Sequence, residues 1–321
     1  MVAAISRRSR WRSRFQALTP ARRGALIFIV SGLVFASTDA LTKTLVSHAP
    51  VTAVIWGRHI SYVLAILIIA GRRHPTRLLV SSRKRAQLAR GLASFGATAT
   101  FFLALSLLPL AEVSTLASTT PLIIIGLAGP VLGERVTRSA IVGALIGFAG
   151  VLVLIGIDPA HIELATLIPL ATATLYAVFS LLTRALRSDP PGTTLLFTGL
   201  IGLGAATVLF VVVPGDSPPT IWQWAGIGVV GLAALCGHSM LVRAYHWGRA
   251  SDLAPLGYLS LVWAFLFGAT VFGEPVTPQA IVGALAISFG GLLALRSGPG
   301  DDLDTRVSAD YGDPLDPDEC R

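Results

Sequence analysis

Ten apolar stretches, each about as long as a bilayer crossing, follow one another along this chain with little between them. They fall at about 24–46, 51–70, 87–108, 111–132, 140–157, 162–183, 193–213, 221–244, 252–272 and 279–296. A helix rises about 1.5 Å per residue, so roughly 20 apolar residues cross the hydrocarbon. Several gaps hold only a few residues, which forces neighbouring segments into hairpins. Hydrocarbon offers no partner to a peptide group, and a helix satisfies its own backbone. The expected fold is an all-α membrane protein with ten transmembrane helices. Composition agrees, because 13% of residues are charged against roughly a quarter in soluble domains.

The net charge of +8 could suggest nucleic acid, but its placement argues against that partner. Lysine and arginine collect at the N-terminus (Arg7 to Arg23) and in every second gap. Those gaps carry Arg72, Arg73, Arg77, Arg83, Lys84 and Arg85, then Arg135 and Arg138, then Arg184 and Arg187, then Arg249. The gaps at 47–50, 109–110, 158–161, 214–220 and 273–278 carry none. This alternation is the positive-inside pattern, and it predicts both termini on the cytoplasmic side. The first apolar stretch is too long for the core of a signal peptide. Cys236 and Cys320 offer neither a disulfide framework nor a zinc spacing. No cofactor or metal is expected. Residues 1–23 read as a basic cytoplasmic arm, and 297–321, rich in aspartate, as an acidic disordered tail.

The chain repeats itself. With a shift of 140, Gly133-Glu134 meets Gly273-Glu274, and Ala140 to Leu145 meets an identical run from Ala280 to Leu285. With a shift of 141, Leu41-Thr42 meets Leu182-Thr183, Lys43 meets Arg184 and Pro50 meets Pro191. The two expected units are 24–157 and 158–296, five helices each. Five is odd, so the second unit lies inverted relative to the first. Inverted repeats are a construction of secondary transporters, in which two halves present one site alternately to each side.

Several short motifs carry a family resemblance. They are Asp39-Ala40 with Lys43, Pro50, Arg58, Leu108-Pro109-Leu110-Ala111, Pro121 and Leu132-Gly133-Glu134 in the first half. In the second half they are Gly237-His238, Arg243-Ala244-Tyr245, Ala254-Pro255 and Phe272-Gly273-Glu274. The chain resembles the drug/metabolite transporter superfamily in its EamA-type branch, over roughly 24–296, and is similar to the riboflavin and S-adenosylmethionine transporters of that branch. The resemblance implies a basket of ten helices around a central cavity. It also implies ATP-independent transport of a small-molecule metabolite across a bacterial cytoplasmic membrane, by a monomer or a homodimer.

Ionisable groups inside a bilayer are costly and point to function. Asp39 and Lys43 share a helix face. Asp39 and Arg58 lie equally far from the first hairpin's tip, so they should be level and able to pair. Their repeat mates are Ser180 and Gly199, so both charges are missing together from the second half. Brace, proton switch and substrate anchor are the open roles. An arginine neighbour opposes the proton exchange a switch needs, which leaves brace or anchor. Lys43 and Arg184 should snorkel toward opposite faces. His238 and Tyr258 should also be level, and with Trp263 they form a candidate wall for stacking on a planar ring; the alternatives are interface anchoring or plain packing. The candidate substrate-binding residues are therefore Asp39, Lys43, Arg58, His238, Tyr258 and Trp263.

Arg243 and Asp252 are expected to pair at the cytoplasmic rim, Glu134 to be structural, and Arg90 to serve the positive-inside bias. Pro121 should free the carbonyl of Ala117. Gly143, Gly150, Gly283 and Gly290 should let helices approach closely. No protease, hydrolase or P-loop motif occurs, so an enzyme or ATP-driven pump is not expected. The favoured substrate is riboflavin or a similar planar vitamin, taken up. The alternatives are export of an amino-acid-like metabolite or metallophore, and S-adenosylmethionine transport.

Overall fold

Every one of the ten apolar stretches contains helix in the computed structural model of the chain, which describes residues 18–46, 48–71, 80–81, 83–107, 113, 116–155, 167–215, 217–271 and 277–295. The first half gives α1 (Pro20–Val46), α2 (Val51–Gly71), α3 (Lys84–Leu107), α4 (Thr120–Leu132) and α5 (Arg138–Ile155). The second gives α6 (Leu167–Ala185), α7 (Pro191–Val212), α8 (Ile221–Trp247), α9 (Ala250–Leu253), α10 (Leu259–Val271) and α11 (Pro278–Leu295). A 3₁₀ segment, Ala254–Tyr258, joins α9 to α10 within one stretch. Six of these segments are long and apolar enough to cross a membrane, and three shorter apolar helices accompany them. No strand occurs among the described residues. The acidic tail and nearly all of the basic arm lie outside them.

Packing repeats with the sequence. α1 lies against α8, and their repeat mates α6 and α3 lie against each other. α2 packs on α8 and, correspondingly, α7 on α3. α4 packs on α6 as α10 packs on α1. Two contacts join an element to its own mate, α2 with α7 and α5 with α11. The bundle thus has the pairwise pattern of a two-fold arrangement of two five-helix halves.

The α5–α11 contact follows from its glycines. A Cβ on Gly143 would fall 2.5 Å from the carbonyl oxygen of Gly290, and one on Gly150 would fall 2.9 Å from that of Gly283. Gly143 matches Gly283 and Gly150 matches Gly290 in the repeat, so the two close approaches are one contact used twice. Small residues let backbones meet where burying apolar surface gives no advantage over lipid.

Two helix ends show how local sequence fixes the frame. α4 ends on Gly133 in the left-handed conformation, φ 67°. Its N–H donates to Gly129 O at 2.8 Å, and the Glu134 N–H to Ala128 O at 3.3 Å. Glycine takes this turn without a Cβ penalty, which is why the Gly-Glu pair closes the helix. α8 begins with a capping box between Thr220 and Gln223. The Gln223 side chain also donates to His48 O at 2.7 Å, tying two hairpin ends together.

Candidate functional site

The polar groups of this apolar bundle gather on two levels. On the face that carries the basic gaps, Glu134 accepts from Arg184 Nε at 2.9 Å. It accepts further from the Ala250 N–H at 3.3 Å, and from the Ser251 N–H and hydroxyl at 3.1 Å each. Arg184 Nη1 donates to Tyr245 O at 2.8 Å. One carboxylate therefore ties the end of α4 to α6 and to the α8–α9 junction, joining the two halves. Arg184, expected to snorkel, is instead buried, because Glu134 supplies its counter-charge. Asp252 pairs with Arg249 at 2.9 Å rather than with Arg243, since three residues on one turn are nearer than a turn across the loop.

Deeper in the bundle, Arg90 is fully buried rather than placed at the face. Its Nε donates to Thr183 Oγ1 at 2.7 Å, and its Nη1 to Thr194 O at 3.2 Å and to Thr198 Oγ1. Its guanidinium lies 4.6 Å from the centre of the Phe179 ring. Nearby, Asp189 accepts from Ser81 Oγ at 2.6 Å and from Gln87 Nε2 at 2.9 Å. Arg90 lies about two turns into α3, beyond the arginines at its start. Threonines at 194 and 198, on one face of α7, are the sequence signal that matches it.

Next to Arg90 a narrow cavity opens between α2, α3, α7 and α8. Arg58, His59, Tyr62, Ser94, Thr198, Gly199 and His238 line it. Backbones come close here because glycine allows it: a Cβ on Gly199 would meet the Tyr62 ring at 2.8 Å, and one on Gly237 the Phe35 ring at 2.8 Å. His238 is 7% exposed and ringed by Phe35, Tyr62 and Phe179, with centroids at 5.2, 5.8 and 5.8 Å. His238 Nδ1, the Tyr62 hydroxyl and Arg90 Nη2 have no hydrogen-bond partner among the described residues. Buried polar groups are normally satisfied, so three orphans in one neighbourhood point to a ligand or water site.

Asp39 stands seven residues before Val46 at the end of α1, and Arg58 seven after Val51 at the start of α2. They are close enough for their charges to act on one another. Yet no direct ion pair joins them, and neither charged group forms a hydrogen bond among the described residues. Asp39 also acts electrostatically on Tyr176 of α6 while remaining solvent-accessible. Asp39 is not among the residues that line the narrow cavity.

The other candidates do not line this cavity. Tyr258 is 1% exposed and packs in a cluster with Ala144, Val151 and Ile287. A Cβ on Gly147 would meet its ring at 2.6 Å. It forms no ring contact with His238. Trp263 is half-buried on α10, which packs against α1, and its indole N–H has no partner among the described residues. Lys43 is exposed near the end of α1. Pro121 does leave Ala117 O free of the helix ladder, and Thr120 Oγ1 donates to it at 2.8 Å. His59 and Tyr62 line the cavity and Arg90 bonds to Thr198 on its wall, none of which the sequence pattern alone revealed. Among the described residues no cluster of His, Cys, Asp or Glu could hold a metal ion.

The arrangement is a narrow polar cavity lined by Arg58, His59, Tyr62 and His238 between helices of both halves, with Asp39 on α1 near enough to act on Arg58. The profile of the EamA-like transporter family matches residues 22–156 and again 163–296. The chain belongs to the EamA-like transporter family. It is a multi-pass membrane transporter and not an enzyme. Among curated relatives, the pseudopaline exporter CntI of Pseudomonas aeruginosa is 24% identical over 78% of this chain and 89% of its own length. The riboflavin transporter of Brucella anthropi is 24% identical over 83% and 96%. The riboflavin transporter of Rhizobium johnstonii is 25% identical over 88% and 94%. A solved crystal structure superposes with a TM-score of 0.73 at 21% identity, over 84% of this chain and 96% of that one, and shows the same fold.

Proposed function

We propose that this EamA-family chain is an ATP-independent secondary transporter of a bacterial cytoplasmic membrane, with both termini cytoplasmic, and that its small metabolite passes through the hollow lined by Arg58, Tyr62 and His238, with Asp39 acting on Arg58 from α1. The observation that carries the reading is the opposed pair Asp39 and Arg58. Charges deep in hydrocarbon without a hydrogen bond or ion pair to protein are tolerated only where water or a ligand reaches them. Their place between inverted halves is where alternating access needs a site. Two substrate classes follow. A planar vitamin such as riboflavin would use the rings around His238, and two of the relatives above are named riboflavin transporters. An exported amino-acid-like metabolite would use the opposed charges, and another relative is named an exporter.

Tyr258 packs beneath Gly147, and neither Lys43 nor Trp263 lines the narrow cavity. Vesicles containing only the purified chain test the proposal. Saturable flux of a vitamin or an amino acid without ATP is expected. No flux across a broad panel of both would overturn it.

A further inference from the structure

The helices form two matched groups. α3 and α4 both pack on α6, and their repeat mates α8 and α10 both pack on α1. Glu134, just past the end of α4, and Arg184, in the last turn of α6, belong to the first group. Tyr245 on α8 and Ala250 and Ser251 on α9 belong to the second. The bonds that Glu134 accepts from Ala250 and Ser251 therefore cross from one group to the other, as does the bond from Arg184 to Tyr245 O. Behind this layer, Ile124 of α4 and Phe179 of α6 share one buried apolar cluster with Leu253 and Leu256. The seam is shut on the face that carries the basic gaps: Ser251 is fully buried, and the Arg184 and Glu134 side chains are 6% and 8% exposed. Inverted halves that present one site to each side in turn must part along such a seam. Charges suit a seam that opens. Shut, carboxylate and guanidinium compensate each other; parted, both regain water, which offsets much of the attraction lost. A seam of apolar side chains alone would expose them to water on opening.

We propose that Glu134, oriented by Arg184, is the latch of a cytoplasmic gate: its bonds to Ala250 and Ser251 hold the two groups together on that side, and their release opens the cavity to the cytoplasm. The inference rests on the transporter reading and on the orientation given with it. The competing arrangement is a permanent tie. Such a tie would hold in every state, and its loss would loosen the bundle without favouring either side of the membrane.

The test uses the full chain in oriented vesicles, with Cys236 and Cys320 replaced by serine and Ser94→Cys on the cavity wall. A membrane-impermeant methanethiosulfonate is applied from one side at a time, and the two rates of modification are compared. With the latch intact, Ser94→Cys should react faster from outside. Glu134→Gln should raise the ratio of cytoplasmic to external rate about tenfold, because it shifts the balance between two states. Ser251→Ala removes one bond to the carboxylate and leaves the ion pair in place, so it should raise the ratio about threefold. It decides the matter alone if Glu134→Gln fails to fold. An unchanged ratio would overturn the proposal, and so would rates that rise equally from both sides. Flux with an unchanged ratio would overturn the latch and leave the transporter reading standing. Absence of flux across the vitamin and amino-acid panel would overturn that reading, whatever the labelling shows.

Discussion

Arg184 is 6% exposed and held by Glu134 at 2.9 Å, whereas Arg58 lines a cavity without a protein partner among the described residues. The same side-chain type thus serves two purposes in one bundle. Removing one partner of a buried ion pair leaves the other charge uncompensated, at a cost on the order of 3–5 kcal/mol. Glu134→Gln should therefore lower the thermal unfolding midpoint of the detergent-purified protein substantially. Adding Arg184→Met should recover part of that loss, giving a large coupling in a double-mutant cycle. The cycle of Asp39→Asn with Arg58→Gln should show a smaller coupling, because those charges interact without contact. Equal couplings in the two cycles would contradict the distinction between the Glu134–Arg184 tie and the Asp39–Arg58 pair.

At the scale of elements, the α5–α11 crossing carries the clearest expectation. Gly143→Ala puts a methyl group 2.5 Å from Gly290 O, and overpacking of this kind costs about 1–3 kcal/mol. Gly126 on α4 has no neighbour within 4 Å of the place an added methyl group would take, so Gly126→Ala should be neutral or slightly stabilising. Unfolding midpoints of the two variants measure this, and equal midpoints would deny the close approach. The existence and order of the helices are legible in the sequence because a bilayer demands a minimum apolar length. The glycine crossing is legible because Ala140 to Leu145 recurs unchanged. The inward face of each helix is not. Lipid and neighbouring helices are both apolar, so no polar stripe marks the lipid side of α2 or α10. His59 and Tyr62 stay hidden for that reason, and the level spacing of Tyr258 and His238 does not put them on one wall. Arg90 is hidden among arginines that do sit at the face. The Glu134–Arg184 contact spans the two halves, and no spacing along the chain announces it.

The whole molecule repeats its packing with its sequence, but not its chemistry. Each major helix contact has a repeat mate, whereas Asp39, Arg58 and Arg90 correspond to Ser180, Gly199 and Val230. A symmetric frame can rock between two equivalent arrangements, and an asymmetric set of charges can choose what rides in it. The hollow must then open to each side in turn. The most direct measurement replaces Cys236 and Cys320 by serine, introduces Ser94→Cys on the cavity wall, and applies a membrane-impermeant thiol reagent from one side of oriented vesicles at a time. Alternating access predicts that Ser94→Cys is modified from either side, and that a transported substrate slows both reactions. Modification from one side only, unchanged by substrate and by conditions that drive turnover, would contradict alternating access through this hollow.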